Sequence, residues 1–496
     1  MKKTLTAMLS VILLLSMFLM LAFNTHAQNA TIDWWPMFHH GLTHSGYSNS
    51  TTSNVNSCSW IFATSGNIHS SPAVVDGKVY AGSLDRNVYA LNASDGQLIW
   101  KYPTSNTVYS SPAVVDGKVY IGCMNGDIYA LNATNGELLW GYSTYSYVYS
   151  SPIVVDGRVY IGALDSTVYA LNASSGLKVW SYKTEGSVES SPAFFQGKVY
   201  VGSYDDKVYA LNASDGQLIW NYETGGDVDS SPALMDNKLY VGSRDGNVYA
   251  LDAANGQLVW NYTTGDNVDS SPAVMDGKVY AGSLDHNVYA LNASDGQLIW
   301  KYETLDLVRS SPAIADGKVY IGSRDHNIYA LNASNGELIW NYTTANFVYS
   351  SPAVVGGKVY VGSYDGKVYA FGQLSPSQSP SPSPSQSPSP SPSSEPEATP
   401  VATVNPTPTP STTHNAVSSP KPSTPSPTSS PSPDASSTSQ PTQIPTPQPK
   451  ETPLFPYIVV VGSFLFVTVV ITFFFAKRRY KRQTKEKSSY DTKQRL

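Results

Sequence analysis

One feature restricts the possible fold more than any other. The chain repeats itself every 40 residues without a slip. The second serine of Ser-Ser-Pro stands at Ser71, Ser111, Ser151, Ser191, Ser231, Ser271, Ser311 and Ser351. Tryptophan keeps the same interval at Trp60, Trp100, Trp140, Trp180, Trp220, Trp260, Trp300 and Trp340. The stretch NASDGQLIW returns letter for letter from Asn92, Asn212 and Asn292. A period of this length marks an array of one supersecondary unit, stacked because no single unit can bury its apolar face alone.

Within a unit the hydrophobic pattern alternates in short runs separated by turn residues. SPAVV from Ser71, KVYAGS, NVYALN and QLIWKY read as strands, and Asp76-Gly77, Leu84–Arg86 and Ala93–Gly96 read as the turns between them. Four short antiparallel strands in 40 residues is the spacing of a β-propeller blade. The two series are offset, because Trp60 precedes the first Ser-Ser-Pro and no Trp follows the last. CSWIFAT, from Cys58, therefore supplies the fourth strand that the last unit lacks. The expected fold is an all-β, eight-bladed propeller in which the N-terminal strand completes the last blade and protects its edge.

These residues resemble a known family. ALNASDGQLIW looks like the tryptophan-docking motif of pyrroloquinoline quinone (PQQ)-like propeller repeats, with Ala90, Asn92, Asp95, Gly96 and Trp100 at its positions. Asp33–Ser48, DWWPMFHHGLTHSGYS, resembles the leader that precedes such repeats, and the likeness runs from about Thr31 to Gly372. The resemblance implies that each repeat Trp packs between neighbouring blades. Quinone-dependent dehydrogenases of this fold hold PQQ and Ca²⁺ with carboxylate and amide ligands, an Asp base, a Trp under the ring and often a disulfide between adjacent cysteines. Here Cys58 and Cys123 are far apart and sit where other units carry Leu, Ser or Ala. Docking accounts for all the tryptophans except Trp34 and Trp35 of the leader. The units also carry no long insertions. The expectation is a chain with no cofactor, no catalytic residues and no metal site. The cofactor-free assembly lipoproteins of the outer membrane are similar in fold, but they begin with a lipid-modified cysteine, whereas the expected mature N-terminus here is Gln28.

The ends define the expected organisation. Lys2 and Lys3, an apolar run from Met8 to Phe23, and Thr25 and Ala27 at a small-residue exit read as a signal peptide over residues 1–27. A leader is expected over 28–57, the propeller over 58–373, and a Pro/Ser/Thr-rich stalk over 374–453. Residues 454–476 contain a long uncharged run, expected to span a membrane as a helix, and the basic tail 477–496 would stay cytoplasmic. The net charge of −6 and the absence of a basic patch outside that tail exclude nucleic acid as the expected partner.

If the repeats are scaffold, function collects where units differ. The residue before Ser-Ser-Pro differs most: His69, Tyr109, Tyr149, Glu189, Asp229, Asp269, Arg309 and Tyr349. Its loop leads into the innermost strand, so these residues should ring the channel mouth as an acidic sector, an arginine, and an aromatic and histidine sector. The second turns, with Arg86, Gly126, Ser166, Asp206, Gly246, His286, His326 and Gly366, are expected on the same face. Such a face suits a protein or glycan ligand; the alternative is drift at solvated loop tips. Three carboxylates fall short of the six or so oxygens a hard cation takes. His39, His40 and His44 are expected to pack the leader, and Asp85 and its counterparts to cap turns. Asn92, Asn132, Asn172, Asn212, Asn261, Asn292, Asn332 and Asn341 each begin a sequon and are candidate N-glycosylation sites. Asp252 in the same series shows that the turn itself needs only an Asx side chain. A cell-surface, single-pass binding protein is the expected whole.

Overall fold

The computed structural model describes residues 34–54 and 56–372, and they form an eight-bladed propeller. The expected signal peptide, stalk, membrane helix and basic tail lie outside the described residues. Blade 1 is typical, with strands Ala73–Val75, Lys78–Ser83, Asn87–Asn92 and Leu98–Pro103 paired antiparallel in chain order. Blade 8 has only Ala353–Val355, Lys358–Ser363 and Lys367–Phe371 of its own, and Cys58–Ala63 adds the outermost strand. Trp60 pairs with Ala370 there, as Trp100 pairs with Ala90 in blade 1. The ring is closed by the strand the sequence offset implied.

Each unit repeats its residues because each makes the same contacts with the next. The Trp100 ring packs on Gly136, and a Cβ on that glycine would stand 2.7 Å from Trp100 Cε3. Its φ of +76° also favours glycine. Trp100 Nε1 and the Tyr80 hydroxyl both donate to the Ala133 carbonyl, each at 3.1 Å. Trp60 and Tyr360 make the same pair of bonds to Ala93 across the closing seam. Blade 7 alone departs from this pattern: the Tyr320 hydroxyl donates to Thr52 Oγ1 at 2.6 Å, and the Trp340 ring packs tilted against Phe371, 5.8 Å between centroids.

The Ser-Ser-Pro serines divide the work of the innermost strands. Ser70 Oγ accepts from the Gly82 amide of its own blade, and Ser71 Oγ accepts from the Ser351 amide of the blade before it. Each Ser71 counterpart bonds its neighbour in this way at 2.9–3.0 Å, giving a closed circle of eight bonds about the axis.

The leader covers the inner edges of the blades. Trp35 exchanges two backbone bonds with Val74 of blade 1, and the Pro36 carbonyl accepts from Val114 of blade 2. The carbonyls of Leu42, Thr43, Ser45 and Gly46 then accept from Phe194, Leu234, Val274 and Ile314 of blades 4 to 7. Tyr47–Ser48 ends the path as a short parallel strand against Ile314 and Ala315. Amides that would face an empty channel are thereby paired. His39 and His44 are buried, and their Nδ1 atoms donate to the carbonyls of His44 and Pro232. Burial lowers their pKa values to about 4 and about 3, so both rings are neutral packing groups.

Candidate functional site

The leader closes one end of the channel, and the other end is a bowl. Phe38 forms its floor, the Ser71 ring its lower wall, and all eight residues preceding Ser-Ser-Pro its upper wall. The cavity holds about 350 Å³, at the small end of the range for ligand sites. His69, Tyr109, Tyr149, Glu189, Asp229, Asp269, Arg309 and Tyr349 are thus brought together as the sequence implied.

The second turns stand on the mouth face as expected, beside the entry loops, with the Leu84 amide donating to the Asn67 carbonyl and the Thr104 amide to the Arg86 carbonyl. The residues at Arg86, Gly126, Ser166, Asp206, Gly246, His286, His326 and Gly366 do not line the bowl. They occupy the left-handed position of the turn, with φ of +69° at Arg86 and +83° at Gly246. Their variation reflects which residues tolerate that backbone. The residues that reach the cavity stand two places earlier: Tyr204, Arg244 and Tyr364. The equivalent position elsewhere is Leu84, Met124, Leu164, Leu284 or Arg324, and this wide change in size and charge was the available signal. Asp85 does cap its turn, accepting from the Asn87 amide, the Tyr89 hydroxyl and the Ser65 amide.

The bowl is polarised. On one side Arg244 reaches Asp227, Asp229 and Asp269 at 3.0–3.3 Å and the Tyr204 hydroxyl at 3.0 Å, with its guanidinium 4.8 Å above the Tyr204 ring. Arg309 meets Asp269 at 3.3 Å. Burial, then repulsion from Asp269 and Glu189, raises Asp229 to about 7 in spite of Arg244. Burial likewise pushes Glu189 upward. Opposite lies an aromatic arc, with His69 at 5.1 Å from Tyr109, 5.8 Å from Tyr349 and 5.9 Å from Tyr364, and Tyr109 at 5.0 Å from Tyr149. Burial, reinforced by Arg309, lowers His69 to about 4, so its ring is neutral at neutral pH.

The lining does not fit a quinone site of the kind the resemblance implied. The repeat tryptophans are buried between blades, Trp35 is tied to blade 1, and no tryptophan lines the bowl. Cys58 is a free thiol in the closing strand, and Cys123 is a buried free thiol just past the strand Lys118–Gly122, its Sγ donating to the Asn106 carbonyl. Among the described residues no group of His, Cys, Asp and Glu could hold a metal ion.

The candidate sequons form a separate set. Asn92 Oδ1 accepts from the Ser94 amide at 2.8 Å, and Asp252 does the same for Ala254, so the side chain holds the turn. These turns rim the leader face, opposite the mouth, because the Ala93 amide bonds Gly77 of the turn beside the leader. Asn261 and Asn341 lie on exposed outermost strands.

By class the molecule is an eight-bladed propeller with a closed floor and a variable, polarised mouth. More particularly, a family model described as outer membrane protein assembly factor BamB matches residues 50–142, 110–225, 165–310 and 304–379, and the chain belongs to that PQQ-like repeat family. BamB from Moraxella catarrhalis is 21% identical, with a TM-score of 0.58, over 64% of this chain and 100% of its own. The computationally designed Ika8 protein is 18% identical, with a TM-score of 0.59, over 64% and 100%. Quinohemoprotein alcohol dehydrogenase from Comamonas testosteroni is 16% identical, with a TM-score of 0.62, over 70% and 82%. Likeness at these identities concerns the fold alone. No curated protein matches the chain.

Proposed function

We propose that this protein is a non-catalytic binding scaffold of the cell surface, engaging a protein or glycan ligand at the mouth of its propeller. The observation that carries the reading is convergence. Every variable residue before Ser-Ser-Pro, with Tyr204, Arg244 and Tyr364, faces one cavity, while the rest of each unit is held constant by contacts with the next. Tyr and Arg are typical interface anchors. The signal peptide, stalk and single span read from the sequence support display outside the membrane. The alternatives are a PQQ- and Ca²⁺-dependent dehydrogenase and a structural coat component. The unmatched lining argues against the first, and the polarised bowl against the second.

The test places a photo-crosslinking residue at Tyr149 of the mouth, or at Gln217 of the opposite rim, in the full chain on cells. Capture of a defined partner from Tyr149 alone is expected. Capture from Gln217 alone, or from neither, would overturn the reading. Alcohol oxidation by the purified protein supplied with PQQ and Ca²⁺ would move it to the dehydrogenases.

A further inference from the structure

The bowl has more negative than positive groups. Glu189, Asp229 and Asp269 face Arg244 and Arg309, three carboxylates against two guanidiniums. Both arginines are already engaged, and among the described residues Glu189 has no ion pair. The Asp269 side chain is only 5% exposed, and its Oδ2, although near Arg309, accepts no well-formed hydrogen bond. Buried oxygens left short of donors favour an incoming cation. The facing arc of Tyr109, Tyr349 and His69 offers ring faces, which attract cations and pack against the alkyl stem that carries them.

The mouth face also carries marks of a macromolecular partner. Tyr145 stands in the loop of blade 3, 93% exposed, with a φ of +60° that a bulky residue adopts at a cost. Tyr147 beside it and Leu305, across the ring in blade 7, are exposed as well. Strained or exposed apolar residues on both sides of a polar bowl suit a segment laid across the mouth.

Resting on the binding reading above, we infer that the ligand is a protein segment that lowers one lysine or arginine side chain into the bowl, its cationic head between Glu189 and Asp269 and its stem against the aromatic arc. A sugar would stack on the same rings and bond the same carboxylates, but it would bring no charge to match the third carboxylate and would leave Asp229 protonated. A cation supplies the third positive charge, and it should drive off the proton held on Asp229, whose titratable and charged neighbours are Asp269, Glu189, Asp227, Tyr204, Arg244 and Arg309.

The test titrates the purified full chain with n-butylguanidine, n-butylamine, n-butanol and methyl glucoside by calorimetry at pH 6.5 in buffers of different ionisation enthalpy. Saturable binding of the two cations, with proton release and no response to butanol or the glucoside, is expected. Glu189→Gln should weaken it by about tenfold, the effect of one charge-assisted bond. Binding of the glucoside with neither cation, or no saturable binding at all, would overturn the inference. If Tyr149 still captures a partner and butylguanidine does not compete, the scaffold reading stands and the cationic side chain is wrong. If Tyr149 captures nothing, the scaffold reading itself falls.

Discussion

The two faces of the propeller are built from the same eight repeats, yet they obey different rules. On the leader face the turn from Asn92 to Gly96 recurs almost unchanged, because each copy receives the tryptophan of the preceding blade. On the mouth face the residues at the His69 position include three tyrosines, two aspartates, a glutamate, an arginine and a histidine. Their side chains do meet across blade boundaries, as Arg309 meets Asp269 and His69 meets Tyr109, but no one of these contacts recurs around the ring. Identity among repeats therefore marks where every unit touches its neighbour in the same way, and divergence marks where it faces the axis.

The strongest way to break this comparison is to substitute the leader face. Trp180→Ala should lower stability by about 3–5 kcal/mol, the usual cost of emptying a large aromatic site. Gly216→Ala should approach that figure, since its Cβ would lie 2.6 Å from Trp180 Cε3 at a φ of +76°. Thermal and denaturant unfolding measure both; a loss below about 1 kcal/mol would mean that docking is not what fixes the turn.

Substituting the mouth should cost less. Arg244→Ala strands Asp227 and Asp229 and leaves Asp269 to Arg309 alone, but the cluster is partly open to water. A loss of about 1–3 kcal/mol is expected, shrinking in high salt. A loss as large as that of Trp180→Ala would erase the distinction between the faces.

Rising and falling pH should act on different groups, with His69 of the mouth on the acid side beside the leader's histidines. Asp229 titrates near 7 in the fold and near 3.9 when unfolded, so the native state keeps a proton that the unfolded chain has lost, and stability falls as pH rises through that window. His39 and His44 are held neutral, while unfolded histidines take up protons below about 6.5, so stability falls as pH drops below that value toward their folded pKa values. Asp229→Asn should flatten the upper arm of a melting-temperature profile and leave the acid arm. Unchanged curvature in the upper arm would show that Asp229 is not its source.

The smallest effect is the most diagnostic. Tyr145→Gly should stabilise by some tenths of a kcal/mol, through relief of its positive φ, and should weaken partner capture at the mouth. Gain of stability without loss of capture would make Tyr145 an accident of its loop.

The blades, their number and the closing strand were legible in the sequence because a fixed period repeats both the strands and the docking contacts. The ring from His69 to Tyr349 was legible because its variation stands out against that period. Arg244, Tyr204 and Tyr364 were obscured by their neighbours at the Arg86 position, which vary for a backbone reason. The winding of the leader left no side-chain signature, since carbonyls from Pro36 to Gly46 make its bonds to the blades.

The serine circle has a further consequence. Its links are alike all the way round, so the ring has no privileged beginning, and the bond from Ser351 to Ser71 at the natural seam is no longer than the others. New ends cut between blades 4 and 5, with Gly372 joined to Cys58, would preserve every link. Only the leader, reading the blades in order from Trp35 to Ser48, records where the chain starts.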